Sequence, residues 1–166
     1  LRAMGYKVVL IEKKCCGRPL ISKGLLDSAR KNAKYNIDRI YEYVKEGAIV
    51  AGAEPSCISV LKDEYPDMFP QDDRVKLIAQ NTFLIQELIM IPKNSDKLNF
   101  NKNPEKKSYY VQVHCHEKTM IGESISVNTL KKIPNSNVKK IPSGCCGMAG
   151  AFGFEKEHYD ISMKIA

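Results

Sequence analysis

Short apolar segments and longer amphipathic segments follow one another along the chain, and the two patterns predict different elements. Short apolar segments bounded by Gly, Pro or Cys are typical of buried strands. Four strands are predicted on this basis, at Tyr6–Ile11, Ala48–Ala53, Tyr109–His114 and Val138–Pro142. Each of them leads directly into a loop that contains cysteine.

Apolar residues at three- and four-residue spacing predict the helices. The clearest helix covers about Gly24–Glu46, and Gly47 is a typical helix end. Its apolar face consists of Leu25, Ala29, Ala33, Ile37, Ile40, Tyr41 and Val44. Further helices are predicted from Ser56 or Cys57 to Pro66, from Asp73 to Ile91, from Thr119 to Lys132 and from about Phe154 onwards.

Strands that alternate with helices predict an α/β fold with a mostly parallel sheet and helices on both faces. We expect residues 1–166 to form one cysteine-rich domain in two pseudo-symmetric halves, 1–91 and 109–166. The polar, aperiodic segment 92–108 is predicted to be an exposed loop between them. The first residue is not Met and the last residues continue a helical pattern, so we expect a piece of a longer protein with a truncated second half.

The triplet Cys-Cys-Gly occurs twice, in "KCCGRP" and in "SGCCGMAG". Loops that follow parallel strands emerge at the carboxyl edge of the sheet, where ligands bind. The sequence therefore predicts that all six cysteines lie on one edge: Cys15, Cys16, Cys57, Cys115, Cys145 and Cys146. The repeated triplet predicts two halves of one cofactor-binding edge.

The chemistry of cysteine supports a metal site at this edge. Thiolates are favoured near helix N-termini, and soft sulfur ligands select iron–sulfur centres, zinc or Cu(I). Gly17, Gly144 and Gly147 flank the cysteine pairs and would let the backbone approach a bulky cluster. A single buried cysteine such as Cys57 is also typical of inert packing, so this alternative stays open for it.

Two histidines flank Cys115 and are candidates for a separate role. His114 and His116 are each interpreted as a metal ligand or a proton donor, or as a hydrogen-bonded residue at a strand end.

The composition limits the partners. The net charge is +7 and the pI is about 9.0, but the lysines are dispersed rather than grouped with aromatic residues, so no nucleic-acid partner is expected. No apolar run approaches the length of a membrane span, and no secretory signal is recognised. We expect a cytoplasmic protein, in which six cysteines are metal or redox groups rather than disulfides.

The cysteine segments resemble a known family. The segments "CCGRPLISKGLLDSARKNAKYNI", "EPSCISVLKDEYPDM", "HCHEKTMIG" and "GCCGMAGAFGFEKEHYDISMKI" are similar to the cysteine-rich CCG-domain family. That family supplies iron–sulfur subunits or domains of FAD-linked oxidases, glycolate oxidase, anaerobic glycerol-3-phosphate dehydrogenase, lactate-utilisation proteins and heterodisulfide reductase.

The resemblance implies an iron–sulfur electron-transfer domain of a flavin-linked oxidoreductase that acts on a 2-hydroxy acid or glycerol 3-phosphate. Electrons would pass from FAD on a partner subunit or domain to a quinone or disulfide acceptor. Ferredoxin-like 4Fe-4S modules and a quinone or membrane-anchor subunit are the further partners implied, with peripheral attachment to the cytoplasmic membrane. Two alternatives remain, a catalytic disulfide-reducing domain of the heterodisulfide reductase type and a zinc-binding structural domain.

The family motif also implies the cofactor, a 4Fe-4S cluster of cubane or non-cubane type. Cys115, Cys145 and Cys146 match the opening and the pair of one motif, and Cys15, Cys16 and Cys57 match the pair and the closing ligand of another. A cubane takes four thiolates. We therefore expect the chain alone to bind iron weakly if each half builds its own cluster, and to hold one cluster unaided if the halves share a site.

Overall fold

The computed structural model describes residues 1–98 and 105–166, which divide into two compact units. The larger unit contains Leu10–Leu84 and Cys145–Ala166, and the smaller unit contains Leu1–Val9 and Ile85–Gly144. Five cysteines belong to the larger unit, namely Cys15, Cys16, Cys57, Cys145 and Cys146. Cys115 belongs to the smaller unit.

The helices are mostly short. In chain order they are α1 (Arg18–Ser22), α2 (Leu26–Val44), α3 (Pro55–Ser59), α4 (Tyr65–Met68), α5 (Asp73–Gln80), α6 (Ile85–Met90), α7 (Pro92–Ser95), α8 (Cys115–Ile121), α9 (Ser124–Lys131) and α10 (Tyr159–Ile165). Single 3₁₀ turns occur at Arg2–Met4, Phe152–Phe154 and Lys156–His158. No helix in the part of the chain that the structure describes is long and apolar enough to cross a membrane.

The strands form two parallel pairs. In the larger unit, β1 (Val50–Gly52) pairs with β2 (Thr82–Leu84), and in the smaller unit β3 (Lys107–Val111) pairs with β4 (Ser136–Lys140). Parallel strands joined through helices confirm the α/β fold class. The expectation of four strands in one sheet is wrong, because the described strands form two separate two-stranded sheets.

The strand predicted at Tyr6–Ile11 is not observed. This segment has no ladder partner among the described residues, and Val9 and Leu10 are exposed. An apolar run is compatible with a buried strand. It does not specify the neighbouring strand whose backbone must complete the hydrogen bonds. Cys15 and Cys16 are therefore not preceded by a strand.

The helix predicted over Asp73–Ile91 is interrupted. It consists of α5 and α6 with β2 between them, where the β-branched and aromatic residues Thr82 and Phe83 favour a strand. The hydroxyl of Thr82 donates to the Ile78 carbonyl at 2.7 Å and satisfies an acceptor at the end of α5. Tertiary pairing with β1 therefore outweighs the helical periodicity of this segment.

The predicted helix around residues 24–46 is confirmed as α2, and Gly47 follows it with φ of 89°. Ala33, Ile37, Ile40 and Val44 of α2 pack in the core of the larger unit. Their partners in this core include Val60, Tyr65, Val75 and Ile78.

The helix that begins at Pro55 continues beyond Pro66, where the sequence predicts its end. Between α3 and α4 the residues Val60–Glu64 form a π-helical turn, and the Tyr65 N–H donates to the Val60 carbonyl. Pro66 has no N–H to donate, and the wider turn before it lets the chain remain helical to Met68.

In the smaller unit, α9 packs on β3 and β4 and also contacts α6. The helix predicted over Thr119–Lys132 begins earlier and is divided into α8 and α9 by Gly122, whose φ is 83°. The predicted loop 92–108 begins with α7, in which Asn94 is buried and donates to the Tyr6 hydroxyl at 2.8 Å. Residues 99–104 of that prediction lie outside the described residues.

Candidate metal site

The first Cys-Cys-Gly triplet lies in a tight loop that leads into α1. Gly17 has φ of 104°, a conformation that favours glycine, and α1 begins at the next residue with Pro19 in its first turn. Cys15 is exposed, whereas Cys16 is 8% exposed and belongs to the core. The loop therefore presents one thiol to solvent and one to the interior of the larger unit.

Cys57 lies in sulfur-to-sulfur contact with Cys16. The two Sγ atoms are 3.2 Å apart although the residues are separated by 41 positions in the sequence. Cys57 is in the first turn of α3, where the Glu54 carboxylate accepts the Ser56 N–H at 3.1 Å and caps the helix. No disulfide bond joins the two residues. The structure thus brings the Cys16 and Cys57 sulfurs together, and their role as metal ligands stays a prediction.

Burial is the main cause that raises the pKa of the Cys16 thiol to about 12, and the hydrogen bond with Cys57 and repulsion from Cys57 and Cys15 contribute to the same value. The backbone N–H of Arg18 donates to Cys16 and opposes this effect. Charge at Cys15, Cys16 and Cys57 also raises the pKa of the buried Tyr65 hydroxyl, for which burial is the larger cause. The three thiols of the first half are therefore close enough to interact electrostatically.

The Arg18 side chain connects the start of α1 with α3 and with the π-helical turn. Its guanidinium donates to the Ser59 hydroxyl at 2.9 Å and forms an ion pair with Glu64. The Arg18 side chain is 15% exposed, and its Nε has no hydrogen-bond partner among the described residues. These contacts hold the residue that follows the first triplet against the helix that carries Cys57.

Two buried polar side chains, Asn36 and Tyr65, hold the backbone of the cysteine loop, and neither was predicted as a site residue. The Asn36 side chain accepts the Lys14 N–H at 2.8 Å and donates to the Lys14 carbonyl at 3.2 Å. The Tyr65 hydroxyl donates to the Cys16 carbonyl at 3.0 Å. A signal for Asn36 exists in the sequence, because it is a polar residue on the apolar face of α2, between Ala33 and Ile40.

The second Cys-Cys-Gly triplet is built around Gly147. This residue is buried with φ of 76°, and its N–H donates to the Cys145 sulfur at 3.4 Å. The buried Ser162 hydroxyl of α10 donates to the Gly147 carbonyl at 2.9 Å. Cys145 is half-buried and Cys146 is exposed.

Both triplets belong to the larger unit, and the segments that follow them are in contact. Gly150 packs on the side chain of Ser22 at the end of α1. Lys23 forms an ion pair with Glu155 at 2.6 Å, which holds the segment after the second triplet against the segment after the first.

Cys115 begins α8 in the smaller unit, as expected for a cysteine at a strand-to-helix junction. The ring Nδ1 of His114 accepts the His116 N–H at 3.1 Å and caps this helix, and it lies 3.9 Å from the Cys115 sulfur. The hydrogen-bonded alternative for His114 is therefore observed. Roles for His114 and His116 as metal ligands or proton donors stay predictions.

Lys118 connects α8 with the chain that enters the second triplet. Its ammonium donates to the Ser143 carbonyl at 2.6 Å and to the Gly144 carbonyl at 3.5 Å. Glu123 lies 3.6 Å from the same ammonium and also pairs with Lys140. The Gly144 carbonyl thus accepts a hydrogen bond from Lys118, and a Cβ added at Gly144 would meet no other atom within 4 Å.

The donor set has the right chemistry for a soft metal centre, but it is not assembled as a complete ligand sphere. Within residues 1–98 and 105–166, no three His, Cys, Asp or Glu side chains are grouped to hold a metal ion. Two thiolates on one tetrahedral zinc would lie about 3.8 Å apart, so the Cys16 and Cys57 sulfurs, which are 3.2 Å apart, would have to separate by about 0.6 Å to share one ion. Thiol donors suit iron–sulfur centres and zinc alike.

The chain is similar to known proteins, and its first part matches a family model. Residues 1–62 match the CCG family, described as a cysteine-rich domain. The chain is 35% identical to one of the subunits of anaerobic glycerol-3-phosphate dehydrogenase of Escherichia coli K12, over 99% of this chain and 41% of that protein. It is 27% identical to D-2-hydroxyglutarate dehydrogenase of Haemophilus influenzae, over 98% of this chain and 16% of the relative.

Lactate utilization protein A of Anoxybacillus flavithermus is 26% identical over 83% of this chain and 58% of its own length. The chain thus spans about two fifths of the glycerol-3-phosphate dehydrogenase subunit and less of the larger dehydrogenase. No solved structure matches the chain. The match over residues 1–62 and the similarity to these relatives confirm the resemblance to the cysteine-rich CCG-domain family that the two Cys-Cys-Gly motifs predict.

Proposed function

We propose that the chain is part of an iron–sulfur electron-transfer domain of a flavin-linked dehydrogenase that acts on glycerol 3-phosphate or a 2-hydroxy acid. The observation that carries the proposal is the contact between Cys16 and Cys57, which brings two motif cysteines together from 41 positions apart. Two relatives are named as dehydrogenases of substrates in these classes, and the chain aligns with them over nearly its whole length.

In this proposal the first half supplies the ligands Cys15, Cys16 and Cys57, and the second half supplies Cys115, Cys145 and Cys146. A 4Fe-4S cluster, once bound, would accept and release one electron at a time. The protein's own contribution is to hold the thiols and to adjust the local charge. The Arg18 backbone N–H donates to Cys16, and the Gly147 N–H already donates to the Cys145 sulfur.

The remaining parts of the electron path lie on proposed partners. FAD on a partner subunit or domain would oxidise the substrate, and ferredoxin-like 4Fe-4S modules would exchange electrons with the CCG domain. A quinone or a disulfide would be the final acceptor, with a membrane-anchor subunit as a further partner on the cytoplasmic side. No nucleic-acid partner is proposed, because the basic residues are dispersed.

The proposal is tested by anaerobic reconstitution of the chain with iron and sulfide. Iron, sulfide and zinc are measured, together with the absorption spectrum and the EPR spectrum after reduction. We expect brown protein with thiolate-to-iron charge-transfer absorption, at less than one cluster per chain. Cys16→Ser and Cys57→Ser should abolish the absorption, whereas Ser28→Ala on the exposed face of α2 should retain it.

The outcomes separate the alternatives. A colourless protein that binds stoichiometric zinc and no iron would refute the electron-transfer proposal and support the structural zinc domain. A stable stoichiometric cluster that is lost in both Cys16→Ser and Cys146→Ser would identify one site shared by the two triplets. Reduction of an added disulfide by the reconstituted protein without FAD would favour the heterodisulfide reductase type of activity.

A further inference from the structure

The Cys15–Cys16 loop rests on a buried hydrogen-bond network that we call the Asn36–Tyr65 clamp. Asn36 is 3% exposed and Tyr65 is 1% exposed. The Asn36 amide nitrogen lies 3.1 Å from the Tyr65 oxygen and 3.4 Å from the Cys15 carbonyl. Together with the bonds to Lys14 and Cys16, the clamp contacts the carbonyls of three consecutive residues.

The clamp compensates for the missing strand before the loop. The backbone of residues 10–16 has no secondary structure, and buried carbonyls without partners are costly. Asn36 lies in α2 and Tyr65 is the first residue of α4, and both helices contribute residues to the core. The loop therefore takes its geometry from two rigid elements rather than from its own backbone pairing.

The hydrogen bonds of the clamp restrict the directions in which the two cysteine side chains leave the backbone. A carbonyl held in one orientation restricts the peptide plane that follows it, and so restricts where the next side chain points. The bonds to the Lys14, Cys15 and Cys16 carbonyls restrict the planes on either side of both cysteines. The directions of the two Cα–Cβ bonds, from which the thiols extend, are thus restricted in the chain without metal.

We propose that Asn36 and Tyr65 are positioning residues that orient the thiols of Cys15 and Cys16 for metal binding. The inference rests on the proposed function for the identity of the resident cluster, but the orientation itself is a property of the metal-free chain. Groups that orient metal ligands through hydrogen bonds commonly change metal affinity by about 10- to 100-fold. Preorganised donors bind more tightly because less ordering remains to be done on binding.

The decisive variant is Tyr65→Phe, which removes one hydroxyl and leaves the ring in the core. Tyr43→Phe is the matched control, because Tyr43 is on α2 and 43% exposed. The probe is Cd²⁺ added to the metal-free reduced chain and followed by the cadmium–thiolate absorption. The second readout is the ratio of alkylation rates at Cys15 and Cys16, measured by peptide mass spectrometry.

We expect Tyr65→Phe to weaken Cd²⁺ binding by about 10-fold or more and to raise the alkylation rate of Cys16 relative to Cys15. Tyr43→Phe should behave as the unmodified chain. Asn36→Asp, which replaces the amide donors by acceptors, should change both readouts in the same direction. If Asn36→Asp fails to fold, Tyr65→Phe alone decides.

Unchanged Cd²⁺ affinity and an unchanged alkylation ratio in folded Tyr65→Phe would overturn the proposal, whatever happens to the urea midpoint. The proposed function can fail separately. A chain that never accepts an iron–sulfur cluster, but whose Cd²⁺ affinity depends on Tyr65, would refute the electron-transfer proposal and retain the clamp.

Discussion

Gly147 is the position at which a single methyl group should damage the second Cys-Cys-Gly loop most. Its φ of 76° is a conformation that costs other residues about 1–2 kcal/mol. A Cβ at this position would also overlap the backbone carbonyl of Ser162, which is fixed in α10 and cannot move like a side-chain end. Overpacking of this kind costs about 1–3 kcal/mol.

Gly147→Ala should therefore lower the free energy of unfolding of the metal-free chain by about 2–5 kcal/mol. With a urea dependence of about 2 kcal/mol per molar, the unfolding midpoint should fall by about 1–2.5 M. The measurement is urea unfolding followed by circular dichroism. The bond from the Gly147 N–H to the Cys145 sulfur should weaken in parallel, so we expect faster alkylation of Cys145.

Substitutions at two other glycines separate the cost of the left-handed backbone from the cost of the steric overlap. Gly47→Ala meets nothing within 4 Å but retains the left-handed φ of 89°, so it should show the backbone cost alone, about 1–2 kcal/mol. Gly144→Ala has open space and no positive φ, so it should change stability by less than about 0.5 kcal/mol. A loss at Gly147→Ala no larger than that at Gly47→Ala would refute the steric argument.

Three further changes are expected in the metal-free chain. Oxidised glutathione should join Cys16 and Cys57 in a disulfide, detected by peptide mapping, because their sulfurs are 3.2 Å apart; a map dominated by other pairs would contradict this. Since burial raises the pKa of Cys16 to about 12 while the unfolded chain loses this proton near about pH 8.5, stability should fall as the pH rises between these values. Urea unfolding as a function of pH should show a shallower fall in Cys16→Ser, and an equal slope would contradict the assignment. Ile37→Ala should cost about 2–5 kcal/mol in the same assay, whereas Leu10→Ala, at a 93% exposed side chain, should cost less than about 0.5 kcal/mol.

Features that depend on residues close in sequence were predictable from the sequence alone. The α2 helix follows from apolar residues at helical spacing and from Gly47, which are local signals. The same holds for Cys57, which lies in the first turn of α3 after β1, whereas Cys115 begins α8 four residues before the predicted helix start at Thr119. The two triplets also predicted the resemblance to the CCG family, whose model matches residues 1–62 with the first triplet.

Tertiary structure decided what depends on partners far apart in the chain. Thr82 entered a strand because β1 was available to pair with it, and Tyr6–Ile11 did not because no partner strand lies beside it among the described residues. The separation of the described strands into two sheets likewise follows from pairing, which hydrophobic periodicity does not encode. The contact between Cys16 and Cys57, and the clamp of Asn36 and Tyr65 beneath it, exist only because α2 and the helix after β1 pack into one core, where a buried polar group must find its partner.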